Sequence, residues 1–172
     1  YDLKEHTQDV EFDKLKIISN ELERYKKEYN LVDFNDMIID FTKSDTCPKF
    51  DVVFIDEAQD LSSMQWDMAK TIWNKSPDNY IAGDDDQAIF KWAGADVNSF
   101  ITLGGEFIKL TQSYRIPAKV HEFAMKIIKK VGNRIPKEWR PRTVEGKLSS
   151  YSDFRHIDMS KGEWLVLTRT RS

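Results

Sequence analysis

In Phe50-Asp51-Val52-Val53-Phe54-Ile55-Asp56-Glu57-Ala58-Gln59-Asp60 an apolar run stops at two carboxylates, followed by an amide and a third carboxylate. From Phe50 to Ile55 the run lacks the alternation of a half-exposed strand, and its β-branched content predicts a parallel strand covered on both faces. Helices would then flank the sheet. In open α/β sheets ligands gather outside the carboxyl ends of the strands, which is where Asp56 and Glu57 fall. One carboxylate there can hold Mg2+ while its neighbour orients or deprotonates a water. Taken by itself, the same pair is equally well a solvated turn after a strand.

The flanking sequence supplies the context. Phe12, Leu15, Ile18, Leu22, Tyr25 and Tyr29 recur at three- and four-residue steps and predict an amphipathic helix from Glu11 to Asn30. Asn30 suits the left-handed end of that helix. Asp33 suits the cap of the next, with Phe34, Met37, Ile38 and Phe41 as its apolar side. After the central strand, Ser62 and Gln65 fit a capping box for a helix carrying Met64, Met68, Ile72 and Trp73. Tyr80 to Ala82 and Glu106 to Leu110 read as second and third strands. Each ends in polar groups: Asp84, Asp85, Asp86 and Gln87 after the one, Gln112 to Arg115 after the other. Pro117 opens a further helix that Gly132 closes. Leu148 to Tyr151 and Trp164 to Leu167 read as strands of a second sheet.

Composition excludes several classes. The 172 residues carry a net charge of −3, so overall electrostatics do not advertise nucleic-acid binding and any basic surface is local. The one such segment runs from Lys126 to Lys147. One cysteine, Cys47, allows no internal disulfide, and His6, His121 and His156 are not at metal-ligand spacing. No apolar stretch reaches the ~20 residues that span a bilayer, and the first residues lack a signal-peptide pattern, so a cytoplasmic location without membrane contact is expected.

Together, Asp56-Glu57-Ala58-Gln59-Asp60, Gly83-Asp84-Asp85-Asp86-Gln87-Ala88-Ile89-Phe90-Lys91-Trp92-Ala93-Gly94-Ala95 and Gln112-Ser113-Tyr114-Arg115 stand in order about thirty residues apart. They resemble motifs II, III and IV of the UvrD/Rep-like superfamily one DNA helicases. Leu31 to Met37 is similar to the segment that often precedes motif II in that family, and Leu167-Thr168-Arg169 to a leucine-x-arginine that opens its second motor domain. The resemblance implies an α/β fold of RecA-like P-loop NTPase type. Residues 1–30 would end a helical insertion, 31–125 form the back of the first motor domain, and 126–172 form a basic linker and the start of a second.

It also implies roles. Asp56 would hold Mg2+ between the terminal phosphates of ATP, and Glu57, in the outer shell of the ion, would activate the hydrolytic water. Gln87 would sense the γ-phosphate, Arg115 would place a guanidinium on it, and Tyr114 would stack on adenine. Gln59 would link the nucleotide site to the next motif, and Asp84 would be a structural or outer-shell group, with Asp85 and Asp86 mostly solvated. Phe90 and Trp92, with Lys91 between them, would face single-stranded or partly duplex DNA, where stacking contributes ~1–3 kcal/mol per base without regard to sequence. Core packing is the other reading of Trp92. Ala88 to Trp92, in place of the leucine and proline found in 5′–3′ relatives, points to the 3′–5′ branch.

The sequence also departs from the family. It contains no Gly-x-x-x-x-Gly-Lys-Ser/Thr loop, and Gly146-Lys147 is followed by Leu148 and lies after motif IV. The expectation is therefore a piece of a longer motor, inactive alone, whose P-loop and late motifs are supplied by the rest of that motor. A reading from another class is a non-catalytic single-strand-binding module built on the basic segment with Trp92 and Trp139 as platforms.

Overall fold

The structure, a computed structural model, describes residues 12–168. These form two compact units. The first holds the described residues up to Ile108 together with Gly132–Pro136, and the second holds Lys109–Val131 and the described residues from Lys137 onward.

The first unit opens with helix α1 (Phe12–Tyr29), whose Asp13 and Lys26/Lys27 match the polarity of the helix ends. Asn30 terminates it at φ 53, with the Leu31 amide returning to the Lys26 carbonyl at 2.8 Å. Its apolar stripe is open. Ile18, Leu22, Tyr25 and Tyr29 are all more than half exposed, and Tyr25 and Tyr29 lie ring to ring at 4.5 Å. Charge fastens α1 to α2 (Phe34–Lys43): the buried Lys26 ammonium reaches Glu23 (2.6 Å), Asp33 (3.1 Å) and Asp36 (2.9 Å). Asp33 and Asp36 also form a reciprocal capping box, each accepting the other's amide at 2.9 Å. On α2, Phe34 and Met37 are exposed, while Ile38, Ile39 and Phe41 are half-buried.

This clasp has a pH signature. Asp33 and Asp36 are each held below the usual carboxylate range, first by the other's backbone amide and then by Lys26. Lys26 is held above the usual lysine range, chiefly by Glu23 and then Asp36. Depressed carboxylates stabilise the fold above their ordinary pKa of about 3.9 and lose that contribution as pH falls through the depressed values. The raised lysine contributes fully below its ordinary range and loses its share only as pH rises through its raised value. The α1–α2 junction is therefore expected to loosen on the acid side. Amide exchange at Leu31 and Met37 followed down the pH scale checks this. An Asp36→Asn variant should lose part of the dependence, and an unchanged profile there sinks the assignment.

Strands β1 (Val52–Ile55) and β2 (Asp78–Ile81) form a two-stranded parallel sheet in the register Val52↔Asp78 to Ile55↔Ile81. Between them α3 (Ser63–Trp73) makes the crossover, opened by the expected capping box between Ser62 and Gln65. The sheet is not covered on both faces. Phe54 is 76% exposed and stacks on Tyr80 at 5.0 Å, whereas Ile55 and Ile81 pack against the core of Ala58, Trp66 and Phe100. Among the described residues no helix lies over the Phe54 face, so β1 alternates in burial despite its apolar run. The buried face of α3 runs through Trp66 and Ala69. Of the expected apolar residues Met64, Met68, Ile72 and Trp73, all half-buried, Trp73 packs against that core. Phe100 comes from α4 (Val97–Ile101), capped by Asp96.

Residues 106–110 form no third strand, and 148–151 and 164–167 form none either. A β-strand is held by its neighbour's ladder, and these segments have none among the described residues. Leu110, Leu165 and Leu167 are accordingly more than four-fifths exposed. In the second unit Pro117 is the cap of α5 (Ala118–Ile128). The Ala118 and Lys119 amides donate to Val144 (3.0 Å) and Glu145 (2.9 Å), and an isolated parallel bridge joins Gln112 to Arg140. Gly146, at φ 75, packs on Pro117 with no room for a side chain. Glu11, the first residue of the expected α1 range, and Arg169 lie outside the described residues. No helix among the described residues is long and apolar enough to cross a membrane.

Candidate functional site

The loops following β1 and β2 are stitched together. The Ala82 amide donates to the Ile55 carbonyl (2.8 Å) and the Ala58 amide to the Ala82 carbonyl (3.0 Å), which carries the parallel pairing past the strand ends. Asp56 and Glu57 leave the sheet at this point, both exposed, with the Glu57 amide on Asp56 Oδ1 at 2.9 Å. Glu57 has φ 52 and ψ 37. That left-handed conformation is uncommon for a residue with a side chain and recurs where function demands a particular direction of the chain.

Gln59 joins the two loops. It is 1% exposed, and both ends of its amide are used. Nε2 donates to Glu57 Oε2 (2.8 Å) and Asp60 Oδ2 (3.3 Å), while Oε1 accepts the Asp84 amide (2.9 Å). A buried, fully satisfied amide has one orientation open to it, so it fixes Glu57 relative to Asp84. Gly83 makes the approach possible: a Cβ there would stand 2.7 Å from Gln59 Oε1 and 2.9 Å from the Phe100 ring.

Asp84 then caps a short turn, Asp85–Gln87, accepting the Asp86 amide at 3.2 Å and the Gln87 side-chain amide at 2.6 Å. Asp85 and Asp86, expected to be solvated, are half-buried and bonded instead to Ile135 and Arg134. A partner some fifty residues away in sequence is what local reading lacks. Glu57, Gln59, Asp84 and Gln87 thus form one chain of hydrogen bonds, with Asp56 at its start.

One turn further, Phe90 and Trp92 sit with ring centroids 6.4 Å apart. The Phe90 carbonyl accepts the amides of Ala93 (2.8 Å) and Ala95 (3.2 Å), and Gly94 closes the turn at φ 93. Trp92 is 71% exposed, so core packing does not account for it, and Lys91 beside it is exposed too. In the second unit Tyr114 is 83% exposed and Arg115 is exposed, on a turn where Ser113 Oγ accepts the Arg115 and Ile116 amides.

In the second unit Lys129, Lys130, Arg140 and Arg142 of the basic stretch are exposed. Trp139 is half-buried with His121 edge-on at 4.2 Å, and Lys126 is paired with Glu122 at 2.7 Å. As for metal, the described residues contain no group of three or more His, Cys, Asp or Glu placed to hold an ion alone. Asp56 and Glu57 supply one or two carboxylates, the share a protein gives Mg2+ when phosphates and water complete the shell, so the donor set fits a magnesium nucleotide.

Residues 2–108 match the N-terminal domain of the UvrD/REP helicases, and the chain belongs to that family. It is similar to the ATP-dependent DNA helicase PcrA of Bacillus subtilis, 30% identical over 134 residues that cover 70% of this chain and 18% of that protein. DNA helicase II of Haemophilus influenzae is 30% identical over 118 residues, covering 66% of this chain and 16% of the relative. PcrA of Staphylococcus epidermidis is 29% identical over 124 residues, 69% and 17%. The chain thus spans less than a fifth of the length of these relatives.

Proposed function

We propose that this chain is part of an ATP-dependent DNA helicase or translocase that couples ATP hydrolysis to 3′–5′ movement on single-stranded DNA in the cytoplasm. Residues 31–125 would be the back of a RecA-like motor domain. The observation that carries this reading is Gln59, a buried amide hydrogen-bonded at once to Glu57 and to the turn of Asp84 and Gln87. It ties an acid suited to activating water to an amide suited to sensing phosphate, and that amide lies one turn from exposed aromatics.

Asp56 would hold Mg2+, which would supply positive charge to the phosphates of ATP. Glu57 takes a proton from the attacking water, its carboxylate oriented by Gln59 Nε2. Gln87 exchanges its bond to Asp84 Oδ2 for a phosphate oxygen when one is present and returns to Asp84 when it is gone. Since only Ala88 and Ile89 separate Gln87 from Phe90, that exchange shifts the aromatic turn and changes its grip on a base. For Tyr114 and Arg115, beyond the matched residues 2–108, the reading rests on the resemblance of Gln112 to Arg115 to motif IV alone: an aromatic face for adenine and a guanidinium for phosphate.

In the full-length protein, single-stranded DNA is expected to stimulate ATP turnover, and a duplex with a 3′ tail to be unwound in preference to one with a 5′ tail. Preference for the 5′ tail overturns the direction, and DNA-independent turnover overturns the coupling. Trp92→Ala should weaken single-strand binding by about 1–3 kcal/mol. Fluorescence anisotropy of a labelled oligonucleotide measures it, and unchanged affinity removes Trp92 from the DNA face.

A further inference from the structure

Gly132–Pro136 stands in sequence between two stretches of the second unit, yet it belongs to the first. Three successive residues fasten it there. Asn133 Nδ2 donates to Asn98 Oδ1 at 2.7 Å. Arg134 sets both arms of its guanidinium on one carboxylate, Nε to Asp86 Oδ1 at 2.7 Å and a terminal nitrogen to Oδ2 at 2.6 Å. The Ile135 amide donates to Asp85 Oδ2 at 2.7 Å, while its side chain packs on the Ala58, Trp66 and Phe100 core.

The Arg134–Asp86 pair is short, bidentate and largely withdrawn from water, with the two side chains 14% and 12% exposed. Such a fork fixes direction as well as distance. Buried ion pairs are poor devices for stability, since apolar residues of similar volume often do as well, and in some proteins their use is to select one arrangement. What this one selects is the turn Asp85–Gln87. With its first two carboxylates pinned and Asp84 capping it from behind, the turn has no freedom to rotate without breaking charged bonds. Gln87 is the next residue.

We propose that Arg134 is a positioning residue of the ATP-hydrolysis site: by clamping Asp86, with the Ile135 amide on Asp85, it holds the turn that presents Gln87. This rests on the reading of Gln87 as the phosphate-sensing amide.

The test uses the full-length protein with Arg134→Gln, Arg134→Lys, Asp86→Asn and Gln87→Ala. In Arg134→Gln and Asp86→Asn the amides of Asp86, Gln87 and Ala88 should exchange roughly tenfold faster, as expected for loss of a charged hydrogen bond, while the α3 amides keep their protection. The same variants should lower kcat about tenfold with KM for ATP nearly unchanged, because the lost interaction acts on the hydrolytic step. Arg134→Lys, which keeps charge but not the fork, should restore only part of both. Unchanged exchange in the turn overturns the clamp, and equal acceleration through α3 overturns it in favour of a general stabilising role. If Gln87→Ala lowers kcat and Arg134→Gln does not, the positioning role fails while the reading of Gln87 stands. If Gln87→Ala leaves kcat unchanged, that reading fails and takes the proposal with it.

Discussion

Glu57→Gln is expected to cut the ATP turnover of the full-length protein by about 10²- to 10⁴-fold, the range for removing a positioned general base. The substitution is nearly isosteric, and Glu57 is exposed, so the fold has little to lose. Its left-handed backbone is equally open to glutamine, and the site keeps an oxygen to accept from Gln59 Nε2, now at 2.8 Å from Oε2. What disappears is the capacity to take a proton. ATP affinity should stay within a few-fold, since binding does not draw on basicity. Single-turnover hydrolysis beside equilibrium nucleotide binding separates the two quantities. Turnover near the starting level would remove Glu57 from the chemistry and leave its strained backbone without an explanation.

Features governed by neighbours a few residues apart were legible in the sequence. The cap at Asp33, the capping box at Ser62, the left-handed stop at Asn30 and the tip of β1 at Asp56 all obey rules confined to one turn of chain. Where the sequence misled, the deciding partner lay far off. The apolar run of β1 reads as doubly covered, but coverage depends on what packs against each face, and Phe54, stacked on Tyr80, is left largely exposed. On α3 the stripe of Met64, Met68, Ile72 and Trp73 includes one residue that packs on the core, Trp73, but the pattern does not single out Trp66 and Ala69, which the sheet and α4 bury. Arg134 falls within the basic segment from Lys126 to Lys147, yet it is committed to an aspartate 48 positions earlier. Lys26 had a weak local signal, since it precedes an Asp-x-x-Asp box by seven residues. Nothing in the pattern alone says that the loop after α1 folds those carboxylates back onto it.

Trp66→Ala should be the most damaging single change to stability, at about 3–5 kcal/mol, the cost of truncating a large buried aromatic when the cavity cannot collapse. Trp66 is 1% exposed, at the centre of the core, and its ring lies 6.1 Å from that of Trp73. Its indole Nε1 also donates to the Asp96 carbonyl at 3.1 Å, across thirty residues. Asp96 does more than receive that bond: it caps α4 through Ser99, accepts from Ser63, and sits beside the Ser62–Ala95 bridge. One side chain therefore anchors the far end of the turn that carries Phe90 and Trp92. Trp66→Phe separates the two contributions. It keeps much of the packing but loses the donor, so its cost should be smaller, and its effect on single-strand binding should persist where the protein is still fully folded. Thermal unfolding and oligonucleotide binding of both variants supply the comparison. If Trp66→Phe binds DNA as well as the parent, the bond to Asp96 serves the core alone, and the aromatic turn is held by its own Phe90, Gly94 and Ala95 contacts.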